Sequence, residues 1–249
     1  SYQLDARTVK PIQHMIDLRH GLLLFTTANI TLLRAEEGKA LSGVNAVAEP
    51  QAYKGVNAAV PIVIDLDVIF AQRNSSSVYA MLYTEYTNSF TMQDVAVLSK
   101  HLLENDMEIV RFAWQSEPSK LLWALRNDGV LLSLTYSREQ EVFAWAKHTT
   151  QGRVLDIVCV EEDGKEVLYL SIERFLRGRW IVTLERMSPR TVARAETYFG
   201  VDSGLRRELT AGVGRLDVEK VSESDYEFTF ASGVPASMAE ADVIFFFDG

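Results

Sequence analysis

KLLWALRNDGVLLSLTYS, Lys120–Ser137, reads as two short apolar runs joined by a turn. Asp128-Gly129 supplies the positive φ angles that a tight hairpin needs without a Cβ clash. On either side, Leu122 and Ala124, then Val130, Leu132 and Leu134, alternate as half-buried strands do. The figure recurs at Leu22–Ala35, Asp67–Thr84 and Glu166–Arg186. Before each hairpin lies one more apolar run: PIQHMIDL, AAVPIVIDL, MEIVRFAW and RVLDIVCV. Val142–Trp145 adds a fourth strand after the third hairpin. The repeat distance, roughly 45 to 55 residues, is that of four-stranded propeller blades.

The expected fold is therefore all-β: a β-propeller-like domain over residues 1–188 with four legible antiparallel blades. One short helix interrupts it, with Thr91 to Asp94 as a capping box and Val95, Leu98 and Leu102 at helical spacing. Ala40 to Val60 has little periodicity and reads as a long inter-blade loop. Residues 189–249 read as a linker plus a small C-terminal β unit. They hold a short helix at Thr191–Tyr198 and strands at Gly214–Val218, Tyr226–Ala231 and Asp242–Phe247. A start at Ser1 and a stop at Phe247-Asp248-Gly249 read as a fragment of something longer.

Composition narrows the function classes. The 34 acidic and 25 basic residues give a net charge of −9, which excludes a broadly basic nucleic-acid-binding face. Arg186, Arg190, Arg194, Arg206 and Arg207 make one locally basic stretch, best read as solvated. Apolar runs such as VIFFF are far too short for a membrane span. Cys159 is the only cysteine and sits in an apolar strand pattern, so it reads as an inert buried thiol.

Candidate chemistry is sparse. Glu139 and Glu141, with Arg138 and Gln140 between two strands, could pair as acid and base, but a solvated loop is the stronger reading. His14, His20, His101 and His148 lack zinc-site spacing, and His148 reads as a hydrogen-bonded structural histidine. Asp65, Asp67 and Asp156 do not form a calcium loop, and Glu161, Glu162 and Asp163 before Gly164 read as a hairpin tip. Trp114, Trp123, Trp145 and Trp180 could stack on sugars, although core filling is the stronger reading. No catalytic residue, cofactor-binding residue or metal ligand is assigned.

A set of pieces resembles a known family. These are Leu-x-x-His-Leu at Leu98–Leu102, Trp-Gln-x-Glu-Pro at Trp114–Pro118 and Trp-x-x-Arg-x-Asp-Gly at Trp123–Gly129. Leu-Thr-Tyr-x-Arg-Glu-Gln-Glu-Val follows at Leu134–Val142, Ala-Trp-x-x-His at Ala144–His148 and Asp-Ser-Gly-Leu at Asp202–Leu205. Their order is similar to that in the tail nozzle proteins of short-tailed phages and prophages, also called DNA-stabilisation or tail tubular proteins. The resemblance runs from about Lys10 to Leu205 and is densest between Leu98 and Val160. It implies a virion structural protein, made in the host bacterial cytoplasm, that assembles with itself as a ring, usually sixfold. Its other implied partners are a head-to-tail adaptor, other tail proteins, and DNA passing through the channel without sequence-specific contact. The acidic balance suits such a conduit, because a net-negative channel wall repels the duplex rather than trapping it. The alternative is a carbohydrate-binding or glycan-cleaving propeller using the tryptophans and Glu139/Glu141; a peptide-binding scaffold propeller is a third reading.

Overall fold

The computed structural model describes residues 10–188, apart from 36–40, 43–44, 74–76, 85, 87–88 and 177, together with Ser203 and the strands at 216–220 and 226–230. The chain divides into two units, Ser1–Pro189 and Arg190–Gly249. The first unit is a series of antiparallel sheets built from consecutive strands. Blade 1 is β1 (Ile12–Leu18), β2 (Gly21–Thr26), β3 (Ile30–Ala35) and β4 (Ala46–Ala52). Blade 2 is β5 (Ile62–Ile64), β6 (Asp67–Ala71), β7 (Val78–Thr84) and β8 (Ser89–Asp94). Blade 3 is β9 (Ile109–Gln115), β10 (Leu121–Arg126), β11 (Leu131–Ser137) and β12 (Val142–His148). Blade 4 is three-stranded: β13 (Arg153–Glu162), β14 (Lys165–Leu176) and β15 (Arg179–Arg186). All four anticipated hairpins form, each with its preceding strand. In the second unit, β16 (Leu216–Lys220) pairs with β17 (Tyr226–Phe230) in a two-stranded sheet. The expected helix at Thr191–Tyr198 and strand at Asp242–Phe247 lie outside the described residues.

Consecutive blades pack face against face, giving three cores. Leu23, Phe25, Ile30 and Leu32 of blade 1 meet Val68, Phe70 and Met81 of blade 2. Ile69 and Ala80 of blade 2 meet Leu122, Leu132 and Leu134 of blade 3. Ala113, Trp123 and Leu131 of blade 3 meet Ile157, Leu168, Leu170 and Ile172 of blade 4. Alternation sends neighbouring residues of one strand into different cores, so blades 2 and 3 are apolar on both faces.

Two expectations change. Ala40–Val60 is not one long loop, because Ala46–Ala52 forms β4 and closes blade 1 against β3. Its Ala-rich sequence has weak intrinsic strand preference, and Pro50 is tolerated on an edge strand, where a missing N–H breaks no further ladder. The helix anticipated across Thr91–Leu102 is reduced to a single 3-10 turn at Lys100–Leu102. Thr91 to Asp94 instead completes β8, and Asp94 uses its carboxylate on Ala96 N (2.9 Å) and Ser77 Oγ (3.1 Å). Val95 and Ala96 enter the core between blades 2 and 3, whereas Leu98 is 88% exposed.

Leu122→Ala leaves a void between blades 2 and 3 and is expected to destabilise the protein by ~2–5 kcal/mol in denaturant unfolding. Leu98→Ala, despite its place in the helical spacing, is expected to change stability by less than ~0.5 kcal/mol.

Candidate functional site

The polar residues of blade 3 are largely occupied in structural bonds. Arg126, buried at the end of β10, donates from Nε to Asp128 Oδ1 (3.0 Å), from NH2 to Asp128 Oδ2, and from NH1 to the Leu102 carbonyl (2.7 Å). The Arg126 hydrogen bond holds the Asp128 carboxyl below its ordinary range. Gly129 (φ +85°) is required twice over: a Cβ there would stand 2.2 Å from Arg153 Cγ of blade 4. At the same tip Val154 N donates to the Gly129 carbonyl (3.0 Å), stitching blade 3 to blade 4.

Asp67 and Tyr136, 69 residues apart, form a buried contact that sequence reading misses. Asp67 is 3% exposed and opens β6. It accepts from Tyr136 Oη of β11 and from Arg138 NH1 (3.1 Å). Burial and the adjacent carboxylate push the Tyr136 phenol above its ordinary value. Glu139 and Glu141 sit exposed on the turn that follows, and Glu141 takes a positive φ of 54° as a turn residue. His148 Nε2 lies 2.7 Å from Ser133 Oγ, as expected of a structural histidine.

Three of the four tryptophans are packing residues. Trp123 is buried and donates to Gln115 Oε1 (3.0 Å); Trp145 donates to the Val95 carbonyl (2.9 Å); Trp114 packs against the core between blades 2 and 3. Trp180 is the exception, 64% exposed beside Phe175 at a ring separation of 5.2 Å. His14 contacts the Asn57 carbonyl at 3.3 Å and His20 stacks on Tyr83, so the histidines stay apart. Among the described residues no group of three or more His, Cys, Asp and Glu side chains could hold a metal. No helix among them is long and apolar enough to cross a membrane.

The Glu161–Gly164 segment is a hairpin tip, with positive φ at Asp163 (49°) and Gly164 (73°). Glu162 takes hydrogen bonds from Tyr169 Oη and from Arg186 Nε (2.9 Å) and NH2 (2.7 Å), and the Arg186 bond lowers its pKa. Arg186 is thereby engaged; Arg190, Arg194, Arg206 and Arg207 lie outside the described residues, as does most of Asp202–Leu205. Cys159 is half-buried against the core between blades 3 and 4, and burial pushes its thiol up to about 12.

A cleft of about 550 Å³ opens where blades 1 and 2 meet, lined by Lys10, Gln13, Thr27, Asn57, Arg73 and Glu108 among others. The segment after β4 shapes it. Gly55 lies so close to Thr27 that a Cβ would fall 2.1 Å from its carbonyl oxygen. Val56 N donates to Thr26 O (3.0 Å), Asn57 N to Ala71 O (3.1 Å) and Arg73 N to Gly55 O (3.0 Å). The Asn57 amide is spent on backbone, at Ile109 O (2.6 Å) and Ala59 N (2.9 Å). Two cations and one carboxylate line the cleft, and no nucleophile stands beside a base there. No protein-family model matches the chain, and no curated protein matches it.

Tyr136→Phe leaves Asp67 buried without one of its donors and is expected to destabilise by ~1–3 kcal/mol at neutral pH. Because the folded-state phenol pKa is raised, its contribution is complete below the unfolded value near 10 and declines as pH rises beyond it. Unfolding curves from pH 8 to 11 should therefore show the gap between wild type and variant narrowing at the alkaline end. Cys159, titrating at about 12, is expected to react with a thiol reagent at pH 8 at least ~100-fold more slowly than free cysteine.

Proposed function

We propose that this chain is a structural component of a phage virion tail, part of a ring-shaped nozzle that retains and releases DNA, and that it acts by assembly rather than catalysis. The observation that carries the reading is the use made of the residues that resemble the nozzle family. Trp123, Arg126, Asp128, Tyr136, Arg138, Trp145 and His148 are engaged in packing or hydrogen bonds that hold blade 3 to itself and its neighbours. Residues that carry a family resemblance and serve packing suit an architectural part better than a reaction centre. The proposed partners are further copies in a ring, a head-to-tail adaptor, and DNA passing without sequence-specific contact.

The test is electron microscopy of intact phage particles from the source, labelled with an antibody against this chain. Label on the short tail below the portal is the expected result. Particles left bare, with the protein recovered free from the culture, would overturn the proposal.

A further inference from the structure

The two faces of blade 4 differ in what they meet. Ile157, Leu168, Leu170 and Ile172 enter the core shared with blade 3. The strand registers place Val158, Val160, Val167, Tyr169, Phe175, Trp180, Val182 and Leu184 together on the other face. That face is open: Leu184, Trp180 and Val182 are 77%, 64% and 61% exposed, and Phe175, Val158 and Val160 are exposed as well. These six side chains leave roughly 600–700 Å² of apolar surface, at or above the largest patch of a typical monomer. Such an area is close to the ~800 Å² that each partner brings to a standard interface.

We propose that this face is where two copies of the chain meet, blade 4 against blade 4, in a two-fold contact. Three features select a second copy. First, at the three junctions among the described residues, what covers an apolar sheet face is another sheet. Second, blade 4 carries the open apolar sheet face among the described residues. The far side of blade 1 is not equivalent, because Leu24 and Thr31 at its centre are already buried. A face of this kind therefore finds its match in the same face of another copy, which is the self-complementary arrangement of a closed dimer. Third, the chain carries −9, but this face does not repel itself. Glu162 and Glu173 are balanced by Lys165 and Arg186, and Asp156 at its margin is ion-paired with Arg111. A two-fold contact closes on itself, so it is separate from the contacts a ring needs and does not rest on the nozzle reading.

Sedimentation velocity on the full chain between about 1 and 100 µM tests the pairing. Wild type is expected to shift from monomer to dimer, and Leu184→Lys, altering a side chain with little to lose in the fold, is expected to weaken association at least tenfold. Leu98→Lys, equally exposed but remote from blade 4 in the strand order, should leave association unchanged. Hydrogen exchange gives a readout in wild type alone, since the amides of β15 should gain protection as concentration rises. A dimer indifferent to Leu184→Lys would overturn the proposal, as would a chain that stays monomeric throughout the range. Strong β15 protection in such a monomer would mean that the same polypeptide covers the face.

Discussion

Strand β10 is buried at all six positions because its side chains enter two different cores. Leu122 and Ala124 face blade 2, while Leu121, Trp123 and Leu125 face blade 4. A sheet lying between two others has no wet face, and the rest of the unit follows from that requirement. The middle strands of blades 2 and 3 must be apolar at successive positions, so their charge is moved to strand ends and connecting turns. Arg126 ends β10 and Asp67 opens β6, and each is buried only in company with its partners. Burial on this pattern is worth ~25 cal/mol per Å² of apolar surface, which makes the blade junctions the main stabilising term.

Polar contacts between blades act on top of that packing. Gln51 of blade 1 accepts from Phe90 N of blade 2 (3.0 Å), and Asn57 reaches Ile109 at the start of blade 3 (2.6 Å). Glu166 of blade 4 accepts from the backbone of Ser116 and Glu117 in the turn after β9. Within blade 4, buried Arg174 grips Glu185 through Nε and NH2, and it reaches the connection from blade 3 by donating to Gln151 O (2.8 Å) and Thr150 Oγ1 (2.8 Å). Each such bond adds only ~1 kcal/mol net, but an unmatched buried donor or acceptor costs about 1–3 kcal/mol. They therefore penalise blades that slide out of place more than they add to stability. The same groups that would attract a search for chemistry are consumed in this way.

The strands visible in the sequence were those whose local pattern and tertiary environment agree. The Asp128-Gly129 turn is the clearest case, with turn chemistry, alternation and a close approach by Arg153 all requiring the same hairpin. Strands β4 and β8 were not visible because they form by pairing with an existing sheet rather than by local preference. AVAEPQA has neither alternation nor β-branched bulk beyond Val47, and SFTMQD ends in a residue that also suits a helix cap. The Asp67–Tyr136 contact leaves no trace in the sequence. Neither residue is unusual in its own strand, and only the stacking of blade 2 on blade 3 brings them together.

Strand β15 shows how a sheet with one described neighbour departs from a sheet with two. Its inward set is Ile181, Thr183 and Glu185, and the last two bond to each other (2.7 Å) and Glu185 to Arg174. Its outward set is Trp180, Val182 and Leu184, so the strand is more apolar on the side away from its own core. A strand with one wet face carries the opposite arrangement, polar outward and apolar inward. Nothing inside blade 4 gains from the inversion, since Val182 and Leu184 stabilise the fold only to the extent that something removes them from water. Blades 2 and 3 reach a two-sided apolar sheet because each has a neighbour on both sides. Blade 4 has the same two-sided character with one neighbour described, and the proposed contact with a second copy would give Trp180, Val182 and Leu184 the cover that the outer faces of blades 2 and 3 already have.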